Sequence, residues 1–381
     1  MGIQDYFPRW TGAALLVFGL LAVWHLRRRA MARVPESKRQ WVTVAAIAAA
    51  AWMLLAQATS VRGVDLRLPP SDIQVWFRMI AMGLTLLATS ICLVRLPFEA
   101  AANVNTGRRR FLEKAADVAA LVPPVAFVRG AWVARGDIQL REIEIRIPGL
   151  ARDLDGLRLV QITDIHLSPF FSAERLDRAI DIANETRAHI ALITGDLISG
   201  FNDPLDLCLD RLRRLKGESG VFGCHGNHEY YVRRQRYATE RGKSLGIRFL
   251  RSEAEILRFG NAALRLTGVD YQAKNEPYLE GMAPPPTDAL NVLLSHNPDV
   301  FPVAAGLGFD LTIAGHTHGG QVTTEILHQH LNPARYITRF VDGLYQEGGK
   351  SIYVSRGLGT VGVPVRLGAP PEVSLIRLTA G

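Results

Sequence analysis

Hydrophobic and polar positions divide the chain into two regimes. In the first hundred residues, apolar side chains run without charge over lengths near a bilayer's reach of about 20 helical residues. Three such runs occur: WTGAALLVFGLLAVWHL (10–26), WVTVAAIAAAAWMLLAQATSV (41–61) and MIAMGLTLLATSICLV (79–94). The third is extended by VWF before Arg78, whose long stem can snorkel to an interface. Trp10, Trp41 and Trp76 stand near the ends of the runs, as an aromatic belt would. The pattern predicts a transmembrane region of three helices over residues 1–100.

From residue 137 the periodicity changes. IQLREIEIRI alternates with period 2, as a half-buried strand does. LRLVQIT (157–163), HIALIT (189–194) and GVFGC are short apolar runs, with AERLDRAIDIANETRA and DPLDLCLDRLRRLKG at helical spacing between them. Repeated strand-helix-strand units predict an α/β domain over 137–381, with a largely parallel central sheet and ligands at the carboxyl ends of its strands. Residues 101–136 form a basic connection. There GRRRFLEKAADVAALVPPVAFVRGAW carries a polar-Arg-Arg-x-Phe-Leu pattern and then an apolar stretch of eleven residues with two prolines. Two readings stand. One is an internal twin-arginine export signal whose apolar stretch is a fourth span, which puts the domain outside the cytoplasm. The other is a basic juxtamembrane cluster followed by an interfacial segment.

Charge narrows the partners. The 381 residues carry a net charge of +8, but residues 1–136 hold 17 Lys/Arg against 7 Asp/Glu, leaving 27 against 29 in the rest. The excess lies in the first third, so the second region lacks the bulk charge of a polyanion-binding domain, and no nucleic-acid partner is expected. Arg27, Arg28, Arg29, Arg33, Lys38 and Arg39 crowd the first loop against Glu36 alone. The loop from 62 to 72 balances Arg62 and Arg67 with Asp65 and Asp72. The positive-inside rule therefore puts the first loop in the cytoplasm. Cys92, Cys208 and Cys224 cannot build a disulfide framework.

Candidate chemistry sits at strand ends. TDIH (163–166), TGDL (194–197), GNHE (226–229), SHNP (295–298) and GHTH (315–318) each follow an apolar run. One such ending is an ordinary helix cap. Five together point to a metal site. Carboxylate and amide oxygens combined with imidazole nitrogens suit Mn, Fe, Zn or Co, and no Cys enters the blocks to favour a structural zinc. In Asp-x-His and His-x-His, alternate side chains of an extended segment share one side.

The order Asp-x-His, Gly-Asp, Gly-Asn-His-Glu, a lone His and Gly-His-x-His resembles the calcineurin-like metallophosphoesterases over roughly residues 150–320. The tail SRGLGTVGVPVRLGAPPEVSLIRL is similar to a bacterial branch that is often membrane-tethered or twin-arginine exported. The resemblance implies a four-layer αββα sandwich with mixed rather than purely parallel sheets, and hydrolysis of a phosphomonoester, phosphodiester or pyrophosphate by metal-activated water. It implies two divalent ions, manganese favoured. Asp164, His166, Asp196 and His318 would hold one; Asp196, Asn227, His296 and His316 would hold the other, with Asp196 shared. His228 would stand beside the scissile phosphate as acid or charge stabiliser. Ser199 occupies the last place of the longer family pattern Gly-Asp-x-x-Asp, a position that is not a ligand.

Other features read as bland. His225 is expected in a loop or behind the ligands, and His328 and His330 at the surface or in a substrate loop. His25 and His189 read as structural and GLGTVG as a turn. GMAPPPT (281–287) is a stiff loop that could border the site. Arg356 and Arg366 are open between holding substrate phosphate and pairing with Glu372. The chain is thus expected to be a multi-pass protein of the bacterial inner membrane, its hydrolase domain extracytoplasmic and its substrate lipid-linked or part of the envelope. The alternative is a catalytically silent membrane scaffold, against which the complete ligand set argues. A transporter is disfavoured because no clear span carries a mid-span acid.

Overall fold

The computed structural model describes residues 10–58, 80, 83–85, 87–94, 106–133, 136–273, 278–326, 329–361 and 364–380. Contacts divide the chain into two compact units, residues 1–131 with 362–364, and residues 132–361 with 365–381.

The first unit is helical. The first two apolar runs fall in the helices Trp10–Arg33 and Glu36–Ala58, which pack against each other. Pro35 separates them, since a proline pushes the preceding residue out of the helical region. Both helices carry charge where they meet, with Arg27 to Arg33 in the first and Glu36 to Arg39 in the second. Among the described residues no helix is long and apolar enough to cross a membrane. The third run is helical over 87–94, and its remainder lies largely outside the described residues, as does the loop with Arg62 and Arg67. The twin-arginine stretch forms the helix Thr106–Ala119. Its apolar continuation is the short helix Val122–Val128, where Pro123 and Pro124 occupy the first turn that tolerates them. Large apolar side chains point outward here, with Phe18 58 % and Trp41 66 % exposed.

Among the described residues of the second unit, fourteen strands follow one another. They are β1 (Gln139–Ile147), β2 (Arg158–Ile162), β3 (Ile190–Thr194), β4 (Val221–Cys224), β5 (Ile247–Phe249), β6 (Glu253–Phe259) and β7 (Ala262–Gly268). After them come β8 (Leu290–Leu294), β9 (Leu311–Ala314), β10 (Thr324–Ile326), β11 (Gln329–Leu331), β12 (Gly343–Glu347), β13 (Lys350–Val354) and β14 (Glu372–Ala380). They make two six-stranded sheets, β1-β14-β2-β3-β4-β5 and β12-β13-β9-β8-β7-β6, with β10 and β11 as a separate hairpin. The single, largely parallel sheet that the run pattern suggests is therefore corrected to two mixed sheets. Each has a parallel centre, β2-β3-β4 and β7-β8-β9, while β14 against β2, β12 against β13 and β6 against β7 are antiparallel. Crossover connections make the central strands parallel, through helices between β2, β3 and β4 and between β8 and β9, and through a long stretch of chain between β7 and β8; the antiparallel pairs are joined by hairpins or by the returning C-terminus.

The sheets face each other across one core. Ile145, Leu159, Ile190 and Leu192 of the first sheet meet Leu264, Val292, Leu311, Ile313 and Tyr353 of the second. On the outer side of the first sheet, Val160, Ile162 and Ile193 pack on the helices Ala173–Glu185 and Leu205–Leu212. Leu176, Ala179, Ile180 and Ala183 recur at i, i+3, i+4 and i+7, so one stripe of the first of these helices is buried. The helix Phe301–Leu307 covers the second sheet, where Phe301 meets Ala314, Ile352 and Val354. Strands covered on both faces read as continuous apolar runs, which is why β2, β3 and β8 stand out in the sequence. Burying each Leu or Ile contributes about 1.5–3 kcal/mol. β1 alternates as expected, with Ile145 and Ile147 inward and Glu142 and Glu144 outward.

Candidate metal centre

Each of the five polar blocks leaves the carboxyl end of one central strand: β2, β3, β4, β8 or β9. Because both sheets are parallel there, all five ends converge. Gln161 ties the sheets together beneath them, its Nε2 donating to Thr194 Oγ1 at 2.6 Å and to the Ala314 carbonyl at 2.9 Å.

The eight residues expected from the sequence come together in one buried cluster. His166 Nε2 is 3.2 Å from His318 Nε2 and 3.5 Å from Asp196 Oδ2. His318 Nε2 is 3.3 Å from Asp164 Oδ1. On the other side, His296 Nε2 lies 3.1 Å from Asp196 Oδ2, 3.0 Å from Asn227 Oδ1 and 3.1 Å from His316 Nδ1. Asp164, His166 and His318 could hold one cation, and Asp196, His296 and His316 another. The donor set fits such ions. Ring nitrogens that face one another at about 3 Å inside a protein need a shared proton or a shared cation between them.

Backbone conformation aims these side chains. Asp164, His166, Asp196, His316 and His318 all have positive φ, between 47° and 77°. Such conformations cost about 1–3 kcal/mol each and persist where the surroundings impose them. Gly226 permits a close approach: a Cβ there would strike the Asp196 carboxylate.

A ring of hydrogen bonds fixes the orientations. His296 Nδ1 donates to the Thr194 carbonyl at 2.7 Å, which leaves Nε2 facing inward. His166 Nδ1 is 3.0 Å from Ser199 Oγ, and His228 Nδ1 donates to the Ser199 carbonyl at 2.6 Å. His228 Nε2 is 4.0 Å from Asp196 Oδ2, at the edge of the cluster. Asp164 accepts from Thr163 Oγ1 at 2.8 Å and from the His316 backbone N–H at 3.0 Å.

The cluster splits its pKa values. Burial pushes the Asp164 carboxyl up to about 6 against the pull of His296. Burial also acts to raise Asp196, but His296 and His228 hold it well below the usual carboxylate range. For His296, burial opposes the charge, yet Asp196 and Asp164 outweigh it and raise the pKa to about 9. Burial and the charge on His296 lower His316 to about 3, and burial holds His166 and His318 well below their ordinary value. Imidazoles kept neutral are the form that binds metal.

Sequence reasoning missed several supports. Glu229 is fully buried and accepts the backbone N–H groups of Asp196, Leu197 and Gly226 at 2.8–2.9 Å, locking the second block onto the third. It is the last letter of GNHE, and an acid beside two ligand-type residues was a usable signal. Ser199 does more than fill a vacant family position, because both of its oxygens hold a histidine.

The remaining candidates settle elsewhere. His225 faces away, 2.7 Å from Thr239 Oγ1 and stacked on Phe249. His189 accepts from the Arg158 backbone N–H at 3.0 Å. His328 lies outside the described residues, as does the His330 side chain. GMAPPPT passes the far end of β8 at Pro286, whose carbonyl accepts from Asn291 Nδ2 at the end opposite to His296. Arg356 pairs with Asp342 at 2.8 Å and approaches Glu372 only to 3.9 Å. Arg366 makes no ion pair with Glu372 among the described residues and is wholly buried among carbonyls. GLGTVG is not a free turn, because Leu358 and Gly359 donate to the carbonyls of Thr163 and Asp164.

This arrangement of two sheets and a convergent Asp/His/Asn centre is that of a metallophosphoesterase. Residues 157–320 match the calcineurin-like phosphoesterase family, and the chain belongs to it. YkuE, a metallophosphoesterase of Bacillus subtilis, is 30 % identical over 249 residues, covering 63 % of this chain and 85 % of that one. A transmembrane protein with metallophosphoesterase domain from Danio rerio is 30 % identical over 276 residues, 68 % of this chain but only 62 % of its own length. Phosphodiesterase YaeI of Escherichia coli is 28 % identical over 278 residues, 71 % and 98 %. The protein is a metal-dependent phosphoester hydrolase.

Proposed function

We propose that the protein is a membrane-anchored phosphoesterase that works with two divalent ions, manganese favoured, on a lipid-linked or envelope phosphodiester, phosphomonoester or pyrophosphate. The observation that carries the catalytic part is the convergence of eight donor side chains from five strand ends. Asp164, His166, Asp196 and His318 would hold one ion, and Asp196, Asn227, His296 and His316 the other. Bound there, the ions would polarise phosphoryl oxygens and lower the pKa of an attacking water.

The chain supplies the rest. His228 donates its Nδ1–H to the Ser199 carbonyl, so Nε2 is the nitrogen left to carry a proton to the departing oxygen. Its position at the edge of the cluster suits a group that touches substrate rather than metal. Asp196, 4.0 Å away, stabilises the imidazolium before that transfer. Glu229 holds the Asp196 loop still through three backbone N–H groups, so the geometry does not reorganise as charge moves.

Membrane anchoring is supported by the outward apolar side chains of the helical unit and by the arginines between its first two helices. With the twin-arginine-like segment, the reading puts the hydrolase unit outside the cytoplasm of a bacterial cell. A reporter fused at the C-terminus, active in one compartment only, tests this; activity in the cytoplasm overturns it. The catalytic reading is tested with bis(p-nitrophenyl) phosphate and added manganese. His228→Ala should keep metal binding and lose about a hundredfold in kcat. Turnover equal to wild type would favour the silent scaffold.

A further inference from the structure

Arg366 is a buried charge that the mechanism does not use. Its side chain is 0 % exposed, and among the described residues no carboxylate lies within ion-pair reach. Its guanidinium spends its donors on carbonyls instead. Nε and Nη2 donate to Gly359, Nη1 to Ala369 at 3.0 Å, and Nη2 to Arg356 at 2.9 Å. A fork that grips three carbonyls at once can be made only by arginine.

Those carbonyls belong to a strap, residues 355–361 and 365–369, that closes over one side of the centre. Ser355 continues the β9 edge by donating to the Ala314 carbonyl at 3.0 Å, and Leu358 donates to Thr163 at 3.1 Å. Gly359 donates to the Asp164 carbonyl at 2.6 Å. A Cβ at 359 would lie 2.8 Å from the His166 Cβ and collide with the Ile165 carbonyl, so the strap runs flat against the first block. Arg366 also reaches His318 directly: Nη2 stands 3.3 Å from Nδ1. That ring nitrogen is therefore turned away from the centre, and Nε2 is the one that meets His166 and Asp164.

We infer that Arg366 is a positioning residue for the metal ion of Asp164, His166 and His318. It acts by pinning the strap against the backbone that carries Asp164 and His166. The inference rests on the two-ion reading proposed above. Residues behind metal ligands commonly set affinity by 10–100-fold. A guanidinium beside the site is also a positive charge that repels a cation, so two opposite effects are at stake and the variants must separate them.

The experiment is a calorimetric titration of manganese into the chelator-stripped full-length protein. His318→Ala and His316→Ala identify which binding step belongs to which half. Arg366→Lys keeps the charge and loses the fork; Arg366→Met loses both. Both should weaken the first-half step by about 10–100-fold and leave the second-half step within threefold, which also shows that the fold is intact. Equal weakening of both steps, or no change in either, overturns the assignment. So does tighter binding in Arg366→Met, which would make the guanidinium a repulsive charge. A wild-type protein with a single step would instead sink the two-ion reading itself, before any Arg366 variant is compared.

Discussion

Asp164, His166 and His318 are buried on every side, and the strap of residues 355–361 and 365–369 roofs them. Asp196, His296 and His316 share the same chemistry, yet His316 is partly open to solvent and their supports come from the turns that carry them. One half is thus held by a segment distant in sequence, the other by its own loops and by Glu229. Their electrostatics diverge as well. Burial raises Asp164 to about 6, whereas Asp196 is held low and His296 is raised to about 9. Two sites made of similar ligands therefore need not have similar affinities. The half with His296 must release a proton to take its cation at neutral pH, and the roofed half should depend on how firmly the strap is pinned.

The comparison breaks most completely at Asp196, which faces both halves through a single oxygen, 3.1 Å from His296 and 3.5 Å from His166. Asp196→Asn keeps the shape and removes the charge. It should weaken both manganese steps and lower kcat/KM by about a thousandfold, as read by calorimetry and diester hydrolysis. If one step survived at wild-type affinity, the halves would be independent and Asp196 would not be shared.

Ser199→Ala sharpens the contrast with a smaller effect. It removes the hydroxyl beside His166 Nδ1 but keeps the carbonyl that holds His228. The first-half ion should bind about tenfold more weakly, the second-half ion unchanged, and the kcat at saturating manganese should stay close to wild type. A fall in kcat at saturating metal would mean that the hydroxyl serves His228 instead.

The same division explains what could be read from the sequence. The ligand-type residues of both halves were legible, because each closes a short apolar run that could only be a strand covered on two faces. The second half needed little more: Asn227, Glu229 and Gly226 lie within one block, and the supports of His296 are strand-end backbone. The first half was only half legible. Nothing in GLGTVG or in Arg366 announces that they pack on Asp164 and His318, since Arg366 and His318 stand 48 residues apart, the strap and Asp164 much further, and both contacts depend on the chain returning as β14 between β1 and β2. The positive φ values at five of the site residues were hidden too, because Asp and His enter the left-handed region more often than most residues yet nothing in the sequence marks which of them do. The parallel-sheet expectation failed for a related reason. Strand periodicity reports burial, not the direction of the neighbouring strand, and the antiparallel outer pairs look like any other apolar run.

His225 offers the gentlest test, a buried imidazole one residue from Gly226 that has no cation to face. Its Nε2 meets Thr239, its ring stacks on Phe249 at 4.6 Å, and its Nδ1 is buried without a partner. Burial lowers its pKa to about 4, with Asp270 pulling the other way. A lowered histidine pKa means that the unfolded chain takes up the proton first. Stability is therefore complete above about pH 6.5 and is lost as pH falls towards 4, by about 3 kcal/mol if the full shift is realised. His225→Phe removes the titrating group and keeps an aromatic ring against Phe249, while Thr239 retains its bond to the Gln235 carbonyl. Manganese binding and turnover at pH 7.5 should hardly change, the smallest effect on activity of any variant here. Denaturant unfolding at pH 7.5 and pH 4 should show the variant losing about 3 kcal/mol less than wild type over that interval. A parallel loss in both proteins would place the acid sensitivity in the metal-facing histidines alone, where His316 titrates lower still. The distinction is physical: a ring nitrogen that faces other ring nitrogens is protected from acid by its cation, and one that faces only the core is not.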